Sequence, residues 1–143
     1  MGTRRKSREI ALQILYLLDV NQGNLEETIE NFWRDFRPSE KLKDFTVRIV
    51  EGVYSHKKEI DNIIQYYSNN WSINRMTTVD RNILRLAIFE ILFCPDIPVK
   101  VSLNEAIELG KKFGAEKSAG FINGILDRVS HELCPQKFSL QNS

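Results

Sequence analysis

Cysteine is scarce in this sequence. Cys94 and Cys134 lie far apart among 143 residues, each followed by proline, and no C-x-x-C pair occurs. Only two histidines are present, and neither joins the cysteines in a ligand pattern, so the spacing of a zinc site is missing. There is no uncharged apolar run of about 18 residues and no hydrophobic signal segment after the basic start, so a cytoplasmic chain without membrane contact is expected. An excess of one charge is lacking too. Twenty basic side chains against 19 acidic ones leave +1, so any role with nucleic acid must come from local clustering rather than overall charge. Strand-like alternation is absent, as is any repeat of about 20 to 50 residues, which excludes a solenoid. No catalytic constellation, cofactor loop or metal-ligand set is found.

What remains is ordinary globular material, 42% apolar and 27% charged, long enough for one domain with a real core. Its periodicity is helical throughout, which predicts an all-α bundle of about seven helices. Residues 1–134 are assigned to this domain, and residues 135–143, after Cys134 and Pro135, to a disordered tail.

The stretch WSINRMTTVDRNILRLAIFEILF, Trp71 to Phe93, organises the rest. Thr77 and Asp80 form a T-x-x-D capping box. At about 100° per residue, Ile83, Leu84, Leu86, Ala87, Ile88, Phe89, Ile91 and Leu92 cover most of the helix circumference, and such a helix must be buried. Glu90 interrupts this apolar layer. A lone carboxylate there is too costly to leave unpaired, so a hydrogen-bonding partner on a neighbouring helix is expected, with Asn104 or Asn123 as donors.

The chain opens on Arg4-Arg5-Lys6-Ser7-Arg8, followed by an amphipathic run with Ile10, Ala11, Ile14, Leu17 and Leu18 as its core stripe. Four cations in the first turns of a helix oppose its dipole, so local stability does not explain them. A basic arm that meets phosphates does. Leu12 and Tyr16 are read as apolar surface on the outer side of this helix. A second helix from Leu25 to Phe36 presents Ile29, Phe32, Trp33 and Phe36, and a third and fourth meet at a bend near residues 55–58. Ser102 and Glu105 read as a second capping box, and Gly114 as a left-handed helix terminus. Lys111 and Lys112 fall in the last turn of that helix, where cations suit the dipole. In the final helix, expected from Glu116 to Leu133, Lys117 and Arg128 flank Phe121. An aromatic between cations fits single-stranded nucleic acid, because rings stack on bases while cations meet phosphates. Gly120 and Gly124, one turn apart, allow close approach by a helix or a ligand.

Four segments, RRKSREIAL (4–12), VDRNILRLAIFEIL (79–92), VSLNEAIELGKKFG (101–114) and FINGILDRV (121–129), together resemble the bacterial transcription antitermination factors of the NusB family. The resemblance runs from Arg4 to about Val129. Lys117 departs from it, in a segment where relatives often carry an acid, and so does the tail after Cys134. The resemblance implies a non-enzymatic helical domain that pairs with the small-subunit ribosomal protein NusE. The pair would bind boxA RNA and join other Nus factors on RNA polymerase, notably during ribosomal RNA synthesis. By position, Arg4, Arg5, Lys6 and Arg8, together with the segment from Phe113 to Phe121, match the family's RNA-contacting regions. Arg75, Asp80 and Arg81 match the surface that meets NusE. Two other classes stay open: a protein-binding module without RNA contact, and a relative of the NusB-like domain fused to RNA cytosine methyltransferases.

Overall fold

The structure, a computed structural model, describes residues 2–69 and 71–137. Seven α-helices follow one another: α1 (Thr3–Asn21), α2 (Leu25–Asp35), α3 (Glu40–Ser55), α4 (Lys57–Tyr67), α5 (Thr78–Phe93), α6 (Val99–Phe113) and α7 (Ser118–Leu133), with a 3-10 turn at Ile73–Arg75. Among the described residues there is no strand, and no helix is long and apolar enough to cross a membrane.

Helix α5 is the axis. Thr77 Oγ1 accepts the Asp80 backbone N–H at 3.1 Å, starting the helix as the Thr-x-x-Asp spacing predicts. From Asn82 to Ile91 every residue is buried, and α1, α3, α4, α6 and α7 all pack against it. The α3–α4 break falls at His56 alone, where α3 ends and α4 begins. His56 stacks on Phe93 with centroids 4.0 Å apart. A methyl group at Gly52 would overlap the Phe89 ring, so only glycine lets α3 close on α5 there.

Several local expectations yield to tertiary demands. Ser102 does not cap α6, which starts at Val99. It sits inside the helix and donates to Glu90 Oε1 at 2.8 Å, while Glu105 receives Arg5. Gly114 is extended rather than left-handed, and glycine is needed because a Cβ would strike Ser118 and the Gly110 carbonyl. Leu12 is buried and Leu17 is partly exposed, with Leu15 taking the core position. Gly120 and Gly124 face open space rather than a neighbouring helix. The partner of Glu90 is neither Asn104 nor Asn123 but Arg8, whose Nε and Nη2 donate at 2.7 and 2.9 Å. Residues 135–137 are tied down rather than disordered. Lys137 Nζ donates to the carbonyls of Glu90, Ile91 and Cys94 at the carboxyl end of α5. Residues 138–143 of the assigned tail lie outside the described residues.

A second polar knot joins the other end of α5 to α1 and α4. Asp19 accepts from Arg81 at 2.7 and 3.0 Å, from Asn82 at 2.9 Å and from Arg85 at 2.9 Å. Arg85 reaches on to Asp61. Burial pushes the Asp19 carboxyl up, but the bonds from Arg81 and Asn82 and the charges of Arg85 and Arg81 outweigh it. The carboxyl is thereby held well below the usual carboxylate range.

Replacing either partner of the interior pair, by Glu90→Ala or Arg8→Ala, leaves an unmatched buried charge and should cost about 3–5 kcal/mol in denaturant unfolding. A loss below about 1 kcal/mol, the size of an exposed pair, would show that the carboxylate is solvated. For Asp19, a depressed folded pKa means that its stabilisation is complete above the ordinary value of 3.8 and drains as the pH falls below it. Asp19→Asn should therefore cost about 2 kcal/mol at neutral pH, and thermal melts should show that deficit shrinking below about pH 4.

Candidate nucleic-acid interface

Helices α1 and α6 flank α5 and are bridged by ion pairs whose order shows that they run in the same sense. Arg5 forks onto Glu105 at 2.7 and 3.1 Å, and Lys112 meets Glu9 at 2.9 Å. These contacts lie about 10 Å apart along α6 at 1.5 Å rise per residue. Beyond them, Lys112 Nζ stands 5.3 Å from the Phe113 ring centre, and Phe113, Leu12, Tyr16 and Val79 wall a shallow apolar pocket. The chain then turns through residues 114–117 into a groove of about 780 Å³. Trp71, Met76 and Phe121 supply its apolar walls, with Arg75, Lys117 and Asp80 also lining it. Trp71 is 54% exposed, and its ring meets Phe121 edge-on at 6.4 Å. Farther along α7, Arg128 donates to the Asn69 side chain at 3.0 Å and to the Tyr67 carbonyl, 5.2 Å from the Tyr67 ring centre.

Arg5 reaches α6 from α1, Lys112 and Phe113 end α6, Lys117 precedes α7, and Phe121 and Arg128 lie on it, with Arg75 and Asp80 lining the same groove as Lys117 and Phe121. Lys111 is nearby and exposed, paired with Glu108 at 3.6 Å. Lys6 is exposed at the amino-terminal end. Among the described residues, Lys6, Arg75 and Lys117 have no carboxylate partner.

Three of the expected site residues are elsewhere. Arg8 is only 4% exposed and committed to Glu90, so it is no surface cation. Arg81 is spent on Asp19 and on the carbonyls of Ile73 and Met76. Arg4 leans away from Arg5, over the Phe45 ring at 4.4 Å and toward Asp96 at 3.7 Å. Spacing along a helix does not distinguish an arginine with an interior carboxylate waiting from one without. Trp71 is the site residue that helical spacing misses. A tryptophan set in the polar run Ser68-Asn69-Asn70-Trp71-Ser72 has no apolar stripe to join, and that isolation is a usable signal.

Asp80 is buried, and its Oδ1 has no hydrogen-bond partner. Its backbone N–H is capped by Thr77, but the carboxylate does not return the bond, so the predicted box is half formed. Nothing in the groove pairs a nucleophile with a base, and no cluster of three or more metal-binding side chains occurs among the described residues.

Comparison with known proteins agrees in family and fold. The NusB family profile matches residues 5–131. The chain is 50% identical over 134 residues to the transcription antitermination protein NusB of Myxococcus xanthus, covering 91% of this chain and 96% of that protein. It is 46% identical over 129 residues to the NusB of Desulfatibacillum aliphaticivorans, covering 90% of each. Among solved structures, T. maritima NusB superposes with a TM-score of 0.87 at 38% identity, covering 95% of this chain and 96% of that one. A structure of the antitermination factors NusB and NusE in complex with dsRNA superposes with a TM-score of 0.82 at 28% identity, covering 90% and 96%.

Because Trp71 is exposed beside Phe121, its fluorescence should report occupancy of the groove. In a Trp33→Phe background, single-stranded RNA should quench it. Phe121→Ala should weaken RNA binding by about 1–3 kcal/mol per base no longer stacked. Unchanged emission at saturating RNA would place the bases elsewhere.

Proposed function

This chain belongs to the NusB family of transcription antitermination factors, and on that premise we propose that it binds boxA-type unpaired RNA together with NusE. It is not an enzyme. The complex joins other Nus factors on RNA polymerase in the cytoplasm and suppresses premature termination, notably during ribosomal RNA synthesis. The observation that carries this reading is the aromatic groove of Trp71 and Phe121, lined by Lys117 and Arg75 alongside Asp80 and Glu116 and reached from the amino-terminal arm by way of Lys112 and Phe113.

The physical steps are simple. Phosphates along the α1–α6 seam set the register, and unpaired bases stack on the exposed rings. Most cations on this path already have a carboxylate: Glu105 for Arg5, Glu9 for Lys112, Glu108 for Lys111. RNA must exchange with those acids, so the gain per phosphate is small and affinity from this chain alone is modest. NusE extends the contacted surface and raises it, and the coupling is reciprocal: RNA raises the affinity for NusE by the same factor. The NusE-facing surface centres on the exposed Arg75, with Asp80 buried beneath it at the start of α5. Arg81 shapes that surface from behind by holding Asp19.

The bland alternative is a helical protein-binding module whose cations serve only solubility. It predicts NusE capture with no response to RNA. Titration of an unpaired boxA-type RNA, with and without NusE and at several salt concentrations, separates the two. Binding should fall with salt at a slope near −0.7 per phosphate neutralised. Arg5→Ala combined with Lys112→Ala should flatten that slope by about 0.7 for each phosphate no longer neutralised. A slope identical to wild type would remove the seam from the RNA path. A fully paired duplex should bind more weakly than the single strand, since its bases cannot reach the rings.

A further inference from the structure

The amino-terminal arm divides in the first turn of α1. Arg5 faces α6, while Arg4 turns to the other flank of α1, where α3 and the α5–α6 turn meet. There, three guanidiniums surround one phenyl ring. Arg4, Arg8 and Arg48 stand 4.4, 5.3 and 6.0 Å from the centre of Phe45. Arg8, beneath, is matched by Glu90. Arg4 and Arg48 share a single carboxylate. Arg48 donates both terminal nitrogens to Asp96 at 2.6 and 3.1 Å, and Arg4 approaches the same side chain at 3.7 Å. Two exposed cations against one exposed anion leave this cluster with a local charge of +1. The carboxylate is 49% exposed, and the guanidiniums are 52% and 37% exposed.

A phosphodiester carries one negative charge and presents two oxygens to a guanidinium fork much as a carboxylate does. Arg4 stands over the Phe45 ring at 4.4 Å and Arg48 is oriented by its bidentate bond, so less side-chain freedom is lost when an anion arrives. A solitary surface ion pair needs no second cation, so the surplus arginine asks for another anion. We propose that Arg4 and Arg48 form a binding fork for a backbone phosphate of the RNA, and that Asp96 occupies the fork as a stand-in until the RNA displaces or joins it. The RNA path thereby continues around the start of α1 onto α3, beyond the α1–α6 seam. This inference rests on the RNA-binding reading above.

Removing a cation of the fork and removing its stand-in anion have opposite predicted effects. In salt titrations of a boxA-type RNA with the full chain and NusE, Arg48→Gln should weaken binding about two- to fivefold and flatten the salt slope by about 0.7. Asp96→Asn removes the competing anion and should tighten binding by a similar factor, although it deletes an ion pair. A purely structural role for Asp96 predicts no gain in affinity and no change in slope. Thermal melts of both variants check folding, and if Asp96→Asn melts early, Arg48→Gln decides alone through its slope. The fork is overturned if both variants bind as wild type while Lys117→Ala weakens binding, an outcome that leaves the RNA reading standing. If the wild-type pair binds no RNA at all, both proposals fall.

Discussion

A carboxylate inside an apolar layer sets the terms for this fold. Glu90 is 1% exposed, on a helix whose other faces are dry, and it persists because three helices converge on it. Arg8 of α1 forks onto both oxygens, Ser102 of α6 adds a third bond, and Lys137 caps the carbonyl end of the same helix. Dispersion and the hydrophobic effect bring α1, α5 and α6 together without choosing among neighbouring registers. The bonds to Glu90 choose, because an offset of one residue leaves two buried charges unmatched.

The second knot makes that choice redundant. Asp19 meets Arg81 and Arg85 eleven residues beyond Arg8 on α1, while Arg81 lies nine residues before Glu90 on α5. The two helices are antiparallel and pinned at both ends over roughly 15 Å. This pinning has a functional consequence. Because Arg8 is drawn inward, helical geometry sends Arg4 and Arg5 to opposite flanks of α1, one toward Asp96 and the other toward Glu105. The orientation of the surface cations is thus inherited from a buried one.

How much of this is legible in the sequence depends on whether a signal is local. The seven helices, the all-round burial of α5, the Thr77 cap and the bend near His56 follow from apolar spacing and short-range chemistry. Ser102 and Glu105 show where such reasoning fails. Their spacing is that of a capping box, yet both side chains serve partners 12 and 100 residues away. Gly114 is glycine because Ser118 crowds it, not because its backbone is left-handed. Within Arg4-Arg5-Lys6-Ser7-Arg8, periodicity alone does not single out the interior member, since that depends on a carboxylate 82 residues away. The aromatic wall is half legible: Phe121 sits at the edge of a stripe, whereas Trp71 belongs to no stripe at all.

The near-neutral net charge and the carboxylate partners of the surface arginines and lysines belong to one design. A strongly basic face would bind any RNA tightly through phosphates alone, since that attraction carries no sequence information. Here Arg4, Arg5, Lys111 and Lys112 each have an acid within 4 Å, so every phosphate that arrives displaces or shares a carboxylate and gains little. On the proposed reading the electrostatic background is thereby lowered, and discrimination shifts to the groove, where exposed rings reward a base that is free to stack. Selectivity on that reading comes less from adding electrostatic attraction than from pairing the seam cations with acids and leaving exposed rings for bases that are free to stack.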